Sequence, residues 1–106
     1  MAISHLESTD AFDIAIKGAV PTLVKFTADW CGPCKAVAPI IKELASDFEG
    51  RMEVLEVDID NFPDVPKRYA VQGVPTFILF EDGEALAKIV GGRTKAQFIE
   101  SFEPLL

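Results

Sequence analysis

The spacing of apolar positions changes along the chain, and each change marks an element. Val20 to Ala28 (VPTLVKFTA) is a nearly continuous apolar run that predicts a buried strand, interrupted by one charge at Lys25. Beyond the next few polar residues, Val37, Ile40, Ile41, Leu44, Ala45 and Phe48 recur at offsets of 3, 4, 7, 8 and 11, one face of an amphipathic helix that Gly50 ends. Met52 to Ile59 (MEVLEVDI) and Thr76 to Phe80 (TFILF) predict two further strands. Ala85 to Val90 returns from the second of these through a turn at Glu81-Asp82-Gly83-Glu84, which makes a hairpin, and Gly91 and Gly92 break it.

Shorter helices fill the gaps. Ser8, Thr9 and Asp10 can cap a helix with Phe12, Ala15 and Ile16 inward, ended by Gly18. Asn61 to Ala70 carries Pro63 and Pro66 and predicts only short helical turns. Thr94-Lys95-Ala96-Gln97 has the pattern of a capping box opening a last helix, with Phe98, Ile99, Phe102 and Leu105 inward. Helices alternating with strands, then a hairpin and a helix, predict an α/β domain with a mixed sheet covered on both faces. The apolar strands Leu23–Phe26 and Thr76–Phe80 suit its centre.

Composition narrows the class. At 106 residues the chain has room for one domain, residues 1–106, and 49% apolar residues is a globular content. Ten basic against 17 acidic residues give a net charge of −7. That balance, with no Lys/Arg cluster, argues against nucleic acid and against an anionic membrane surface. No apolar run approaches the length of a membrane span. Met1 to Asp10 lacks both the basic start and the apolar stretch of a signal peptide, so the expected compartment is a reducing cytosol.

Both cysteines fall in Cys31-Gly32-Pro33-Cys34, where the first strand hands over to the long helix. Cys31 is expected at or near the helix N-cap, Pro33 in the first turn, and Pro39 inside the helix as a kink. A structural staple is one reading. Closing so short a loop is worth only about 2 kcal/mol, against ~5 kcal/mol for a loop of roughly 100 residues. A zinc site is another, but it takes four Cys or His ligands, and only His5, distant in sequence, joins the two cysteines. The third reading is a redox pair, and the surrounding chain favours it.

Trp30-Cys31-Gly32-Pro33-Cys34-Lys35, Pro39, Asp58-Ile59-Asp60, Gly73-Val74-Pro75-Thr76, the Asp82-Gly83 turn and Val90-Gly91 together resemble the thioredoxin family, of the prokaryotic and plastid type. Their order runs almost end to end. The resemblance implies the thioredoxin fold, a five-stranded mixed sheet flanked by four helices. It also implies protein-disulfide reduction by a Cys31/Cys34 pair that cycles between dithiol and disulfide. The implied partners are thioredoxin reductase, NADPH- or ferredoxin-linked, and disulfide-containing proteins. The implied molecule is a monomer with no cofactor or metal beyond its own redox disulfide.

A thiolate is the attacking species, and a helix start favours an anion, so Cys31 is expected to attack the target disulfide with its sulfur accessible. Cys34, one turn inward, is expected to resolve the mixed disulfide and to need help in losing its proton. In this family a Gly-Pro centre accompanies reductants; an oxidant or isomerase, and a non-catalytic dock around Trp30, are the competing expectations. The family places the proline of Val74-Pro75 in the cis form beside the pair. Trp30, Gly32, Pro33, Gly73, Val74, Pro75, Gly91 and Gly92 are then expected to form an apolar docking surface for an extended target strand.

Two positions depart from the family. Lys25 stands where most members carry an Asp thought to assist the second cysteine, and Glu56 stands where a Lys is usual. A lone buried ammonium is costly, so the two are expected to pair, with Glu56 relaying a proton toward Cys34 while Lys25 holds it. The alternatives are an ion pair without a catalytic part, or a Lys25 that snorkels to solvent. The other departure is Thr27, where bacterial members often carry Trp; it is expected to loosen packing beside the motif.

Overall fold

The two apolar runs expected at the centre lie side by side in the middle of a five-stranded sheet. The computed structural model describes residues 3–106. Met1 and Ala2, the start of the segment read for a leader, lie outside them. The elements are β1 (Ser4–His5), α1 (Thr9–Ala15), β2 (Thr22–Thr27), α2 (Gly32–Asp47), β3 (Glu53–Asp58), α3 (Asp64–Arg68), β4 (Thr76–Glu81), β5 (Glu84–Val90) and α4 (Lys95–Phe102), followed by a 3-10 turn over Glu103–Leu105. The sheet order is β1-β3-β2-β4-β5. β1, β3 and β2 run parallel, and β4 and β5 pair antiparallel, so the sheet is mixed as expected.

Alternation along the central strands builds two cores. Leu23, Val54, Phe77 and Leu79 face α2 and α4, meeting Val37, Ile41, Leu44, Phe98 and Phe102. Val24, Phe26, Leu55, Val57, Ile78 and Phe80 face the other way, onto Phe12, Ile16 and Val65 from the α1 and α3 side. Lys25 and Glu56 are register partners, two residues along from Leu23 and Val54 on the α2 side of the sheet.

The local signals act as read. Ser8 Oγ accepts the Ala11 N–H at 3.2 Å and caps α1. Thr94 and Gln97 close a reciprocal capping box on α4. Asp82 and Gly83 both take positive φ, 51° and 84°, the two-residue hairpin turn whose twist matches the strands. Some readings need correction. Val20, Pro21 and Ala28 lie outside β2, and Met52 and Ile59 outside β3, because strand pairing stops short of the apolar run. The strand β1 has only two residues and no periodicity to reveal it. Leu105 is exposed, because α4 ends at Phe102 and the 3-10 turn rotates Leu105 outward. Pro39 does lie inside α2, where its missing N–H leaves the Lys35 carbonyl without its helical donor.

Phe98 pins α4 to the sheet: it is fully buried, with its ring 4.9 Å from Phe77 and 6.0 Å from Phe102 between centroids. Phe98→Ala should cost about 3–5 kcal/mol through lost contacts and the cavity left behind. Gln97→Ala, which removes half a capping box, should cost no more than about 1 kcal/mol. Equilibrium urea unfolding of both variants measures the difference.

Candidate active site

The redox pair is set by the geometry of a helix start. Cys31 is the N-cap of α2, with extended backbone (φ −88°, ψ 106°), and its Sγ accepts the backbone N–H of Cys34 at 3.1 Å. The Cys31 N–H donates to Ala28 O at 3.1 Å, which fixes the turn from β2 into the helix. Gly32 and Pro33 occupy the first turn, both exposed, and Pro33 sits where a missing donor costs nothing. Cys31 and Cys34 are joined as a disulfide, with Cα atoms 5.3 Å apart. The unpaired N–H groups and the positive dipole end of a 16-residue helix therefore converge on these sulfurs.

The expected openness of Cys31 is corrected. In the disulfide form Cys31 is 3% exposed and Cys34 1%. Ile59 and Val74 pack over the pair, and Val74 O stands 3.7 Å from Cys31 Sγ. In the disulfide form Cys31 is therefore almost wholly covered by its neighbours.

That surface is laid out around the pair. Trp30 is 68% exposed, and its indole Nε1–H donates to Asp60 Oδ2 at 2.8 Å. Asp58 Oδ1 accepts the N–H groups of Asp60 and Asn61 at 2.8 and 3.2 Å, which holds the loop carrying Asp60. The Val74–Pro75 bond is cis, and Thr76 Oγ1 donates to Gly73 O at 2.7 Å within the same turn. Gly73 and Gly92 are exposed, with open space where a side chain would begin. Gly91 has φ +85°, which a side chain would strain, so the turn itself requires this glycine. Pro75, directly ahead of β4, is buried rather than open on the expected surface, and Val74 beside it is half-buried. Beyond Pro33, a groove runs between α2 and the start of α4, lined by Ala36, Ile40, Gly92 and Arg93 among others.

Beneath α2 lies a charged rung that crosses three strands. His5, Glu56 and Lys25 are register partners on β1, β3 and β2. Lys25 is 2% exposed, so it does not snorkel. Its Nζ donates to Cys34 O at 3.1 Å and stands 3.6 Å from Glu56 Oε2. Glu56 Oε1 is 3.3 Å from His5 Nδ1. Lys25, Thr27, Cys34 and Glu56 line one small cleft, and Thr27 also lines the next, with His5, Asp29 and Asp58. The structure thus brings Lys25 and Glu56 together beside Cys34.

Sequence reading did not assign Asp60, Ile59 or His5 to the site. Asp60 and Ile59 lie in the Asp58-Ile59-Asp60 segment that carried part of the resemblance, so a signal for them was present. His5 had none, since its partner is 51 residues away across a two-residue strand. Among the described residues, no group of three His, Cys, Asp or Glu side chains is arranged to hold a metal ion. No helix among them is long and apolar enough to cross a membrane.

Comparison with known proteins agrees with this geometry. The family model described as Thioredoxin matches residues 3–103. A thioredoxin of Staphylococcus epidermidis is 43% identical over 100 residues, covering 94% of each chain. A thioredoxin of Staphylococcus aureus is 42% identical over the same length and share. With a CxxC disulfide capping its long helix, and a family match over nearly its whole length, the chain belongs to the thioredoxin family of thiol–disulfide oxidoreductases.

Proposed function

We propose that this chain is a protein-disulfide reductant in which Cys31 attacks and Cys34 resolves. The observation that carries the reading is the placement of Cys31 as N-cap of α2, with its sulfur bonded to the Cys34 N–H. In the dithiol form the same N–H and the helix dipole stabilise a Cys31 thiolate. Cys31 attacks a target disulfide and forms a mixed disulfide; Cys34, one turn inward, attacks Cys31 Sγ and releases the target as a dithiol.

Glu56 accepts the Cys34 proton through water in the cleft they share, and Lys25 holds the carboxylate in place. Thr27 lines that cleft as well. Trp30, Gly32, Pro33, Gly73, Val74, Gly91 and Gly92 form the docking face, with Pro75 shaping it from below. An extended target strand pairs with the Val74 backbone there, a mode in which main-chain bonds give affinity and side-chain contacts give preference. Thioredoxin reductase, NADPH- or ferredoxin-linked, returns electrons to the disulfide. The molecule acts as a cytoplasmic monomer, without cofactor or metal, and binds neither nucleic acid nor membrane.

Three outcomes test these assignments. Cys34→Ser should abolish turnover with insulin, NADPH and thioredoxin reductase, and should leave target proteins trapped on Cys31, visible by non-reducing electrophoresis. Absence of trapped species with Cys34→Ser and their appearance with Cys31→Ser would reverse the two roles. Trp30→Ala should raise KM for a protein disulfide severalfold and leave the reaction with a small aromatic disulfide nearly unchanged, measured by steady-state kinetics with both substrates. Glu56→Gln should slow resolution about tenfold and alter its pH profile, read by stopped-flow absorbance; an unchanged rate and profile would reject the relay.

A further inference from the structure

Lys25 is the only charged side chain fully buried among the described residues, and its shortest polar contact is with Cys34 itself. The ammonium hydrogen-bonds the Cys34 carbonyl at 3.1 Å, whereas the Glu56 carboxylate stands farther off, at 3.6 Å, and is itself shared with His5. A pair formed only to neutralise a buried charge would bring its closest contact to the carboxylate. Here the ammonium is bonded to the backbone of the residue whose sulfur must become an anion.

We propose that Lys25 is a positioning residue for the second half of the reaction: its fixed positive charge, held against the first turn of α2, stabilises the Cys34 thiolate during resolution. This inference deepens the reductant reading and rests on it. A cation beside a thiol favours the anion, and a site shielded from water strengthens that effect. The other charged groups near Cys34 are worse placed. Lys35 and Asp29 line the same cleft but are exposed, and His5 and Asp58 stand on the outer side of Glu56.

The step balances without any further reactant. In the mixed disulfide, Cys31 Sγ is bonded to a target sulfur, and the other target sulfur has left as a thiolate and taken a proton. Cys34 gives its proton to Glu56 through water. The resulting thiolate, on the residue whose carbonyl Lys25 bonds, attacks Cys31 Sγ. The Cys31–Cys34 bond forms, the bond to the target breaks, and the second target sulfur leaves with the electron pair and collects the proton. Two electrons have passed to the target, and Lys25 keeps its protons throughout. Charge and proton acceptor are thus divided between two side chains, Lys25 and Glu56.

The test uses 5,5′-dithiobis(2-nitrobenzoate), which releases one coloured thiolate when Cys31 attacks and a second when Cys34 resolves. Lys25→Met keeps the aliphatic stem and removes the charge. It should slow the second release about tenfold or more at pH 7 and move its rise to higher pH, with the first release within about twofold of the unaltered protein. In a Glu56→Gln background the same change removes the cation without leaving a carboxylate unpaired, so the double variant has a neutral buried site, and comparing it with Glu56→Gln supplies the answer if the single change unfolds the protein. A further slowing of the second release on adding Lys25→Met to Glu56→Gln supports the charge. No further slowing overturns it, even where Glu56→Gln alone slows resolution and the relay stands. Slowing by Lys25→Met with no effect of Glu56→Gln leaves the charge in place and removes the relay. Equal slowing of both releases, with the pH profile unmoved, overturns the proposal in favour of a purely architectural lysine.

Discussion

The position at which α2 begins is the constraint on which the site depends. Its N-cap must be a sulfur, and that sulfur must stand where β2 ends. Neither condition follows from the motif alone. The helix is held by one apolar face, Val37, Ile41, Leu44 and Ala45, pressed on Leu23, Phe77 and Leu79 of the sheet. At the other end, the Cys31 N–H bond to Ala28 O closes the turn out of β2. Between these two anchors the first turn has little freedom, and the Cys34 N–H that the Cys31 sulfur caps lies against the reactive atom. Stability and chemistry use one hydrogen bond.

The same helix sits over a charge. Most buried positions beneath α2 are aliphatic or aromatic, and a lysine among them is tolerated because two oxygen acceptors meet its ammonium, the Cys34 carbonyl and the Glu56 carboxylate, the latter continuing to the His5 imidazole at the surface. The rung grades from fully covered to open, with Lys25 at 3% side-chain exposure, Glu56 at 22% and His5 at 72%.

Most of the fold was legible because its signals are local. The helix face from Val37 to Phe48, the Ser8 cap, the Thr94–Gln97 box and the Asp82-Gly83 turn each depend on residues within a few positions of one another, and each formed as read. What escaped reading is nonlocal. β1 exists because Ser4 and His5 pair with Leu55 and Glu56, about fifty residues away. The burial of Cys31 and of Pro75 comes from the Val74 loop folding onto the helix start, and no spacing in the sequence encodes that closure. Lys25 was legible as an anomaly inside an apolar strand. Its hydrogen bond to Cys34 was not, because the register of β2 beneath α2 is a tertiary fact.

The shortness of β1 has one more consequence. An outer strand offers unpaired backbone groups to any extended polypeptide, and proteins that handle such polypeptides are exposed to unwanted strand addition. Here one margin is two residues long, and the other, β5, carries exposed Glu84 and Lys88 and a register shift opposite Leu79 and Phe80. Both margins are poor templates. The rims of the sheet thus give an extended polypeptide little to pair with, and edge-to-edge association of this fold is disfavoured.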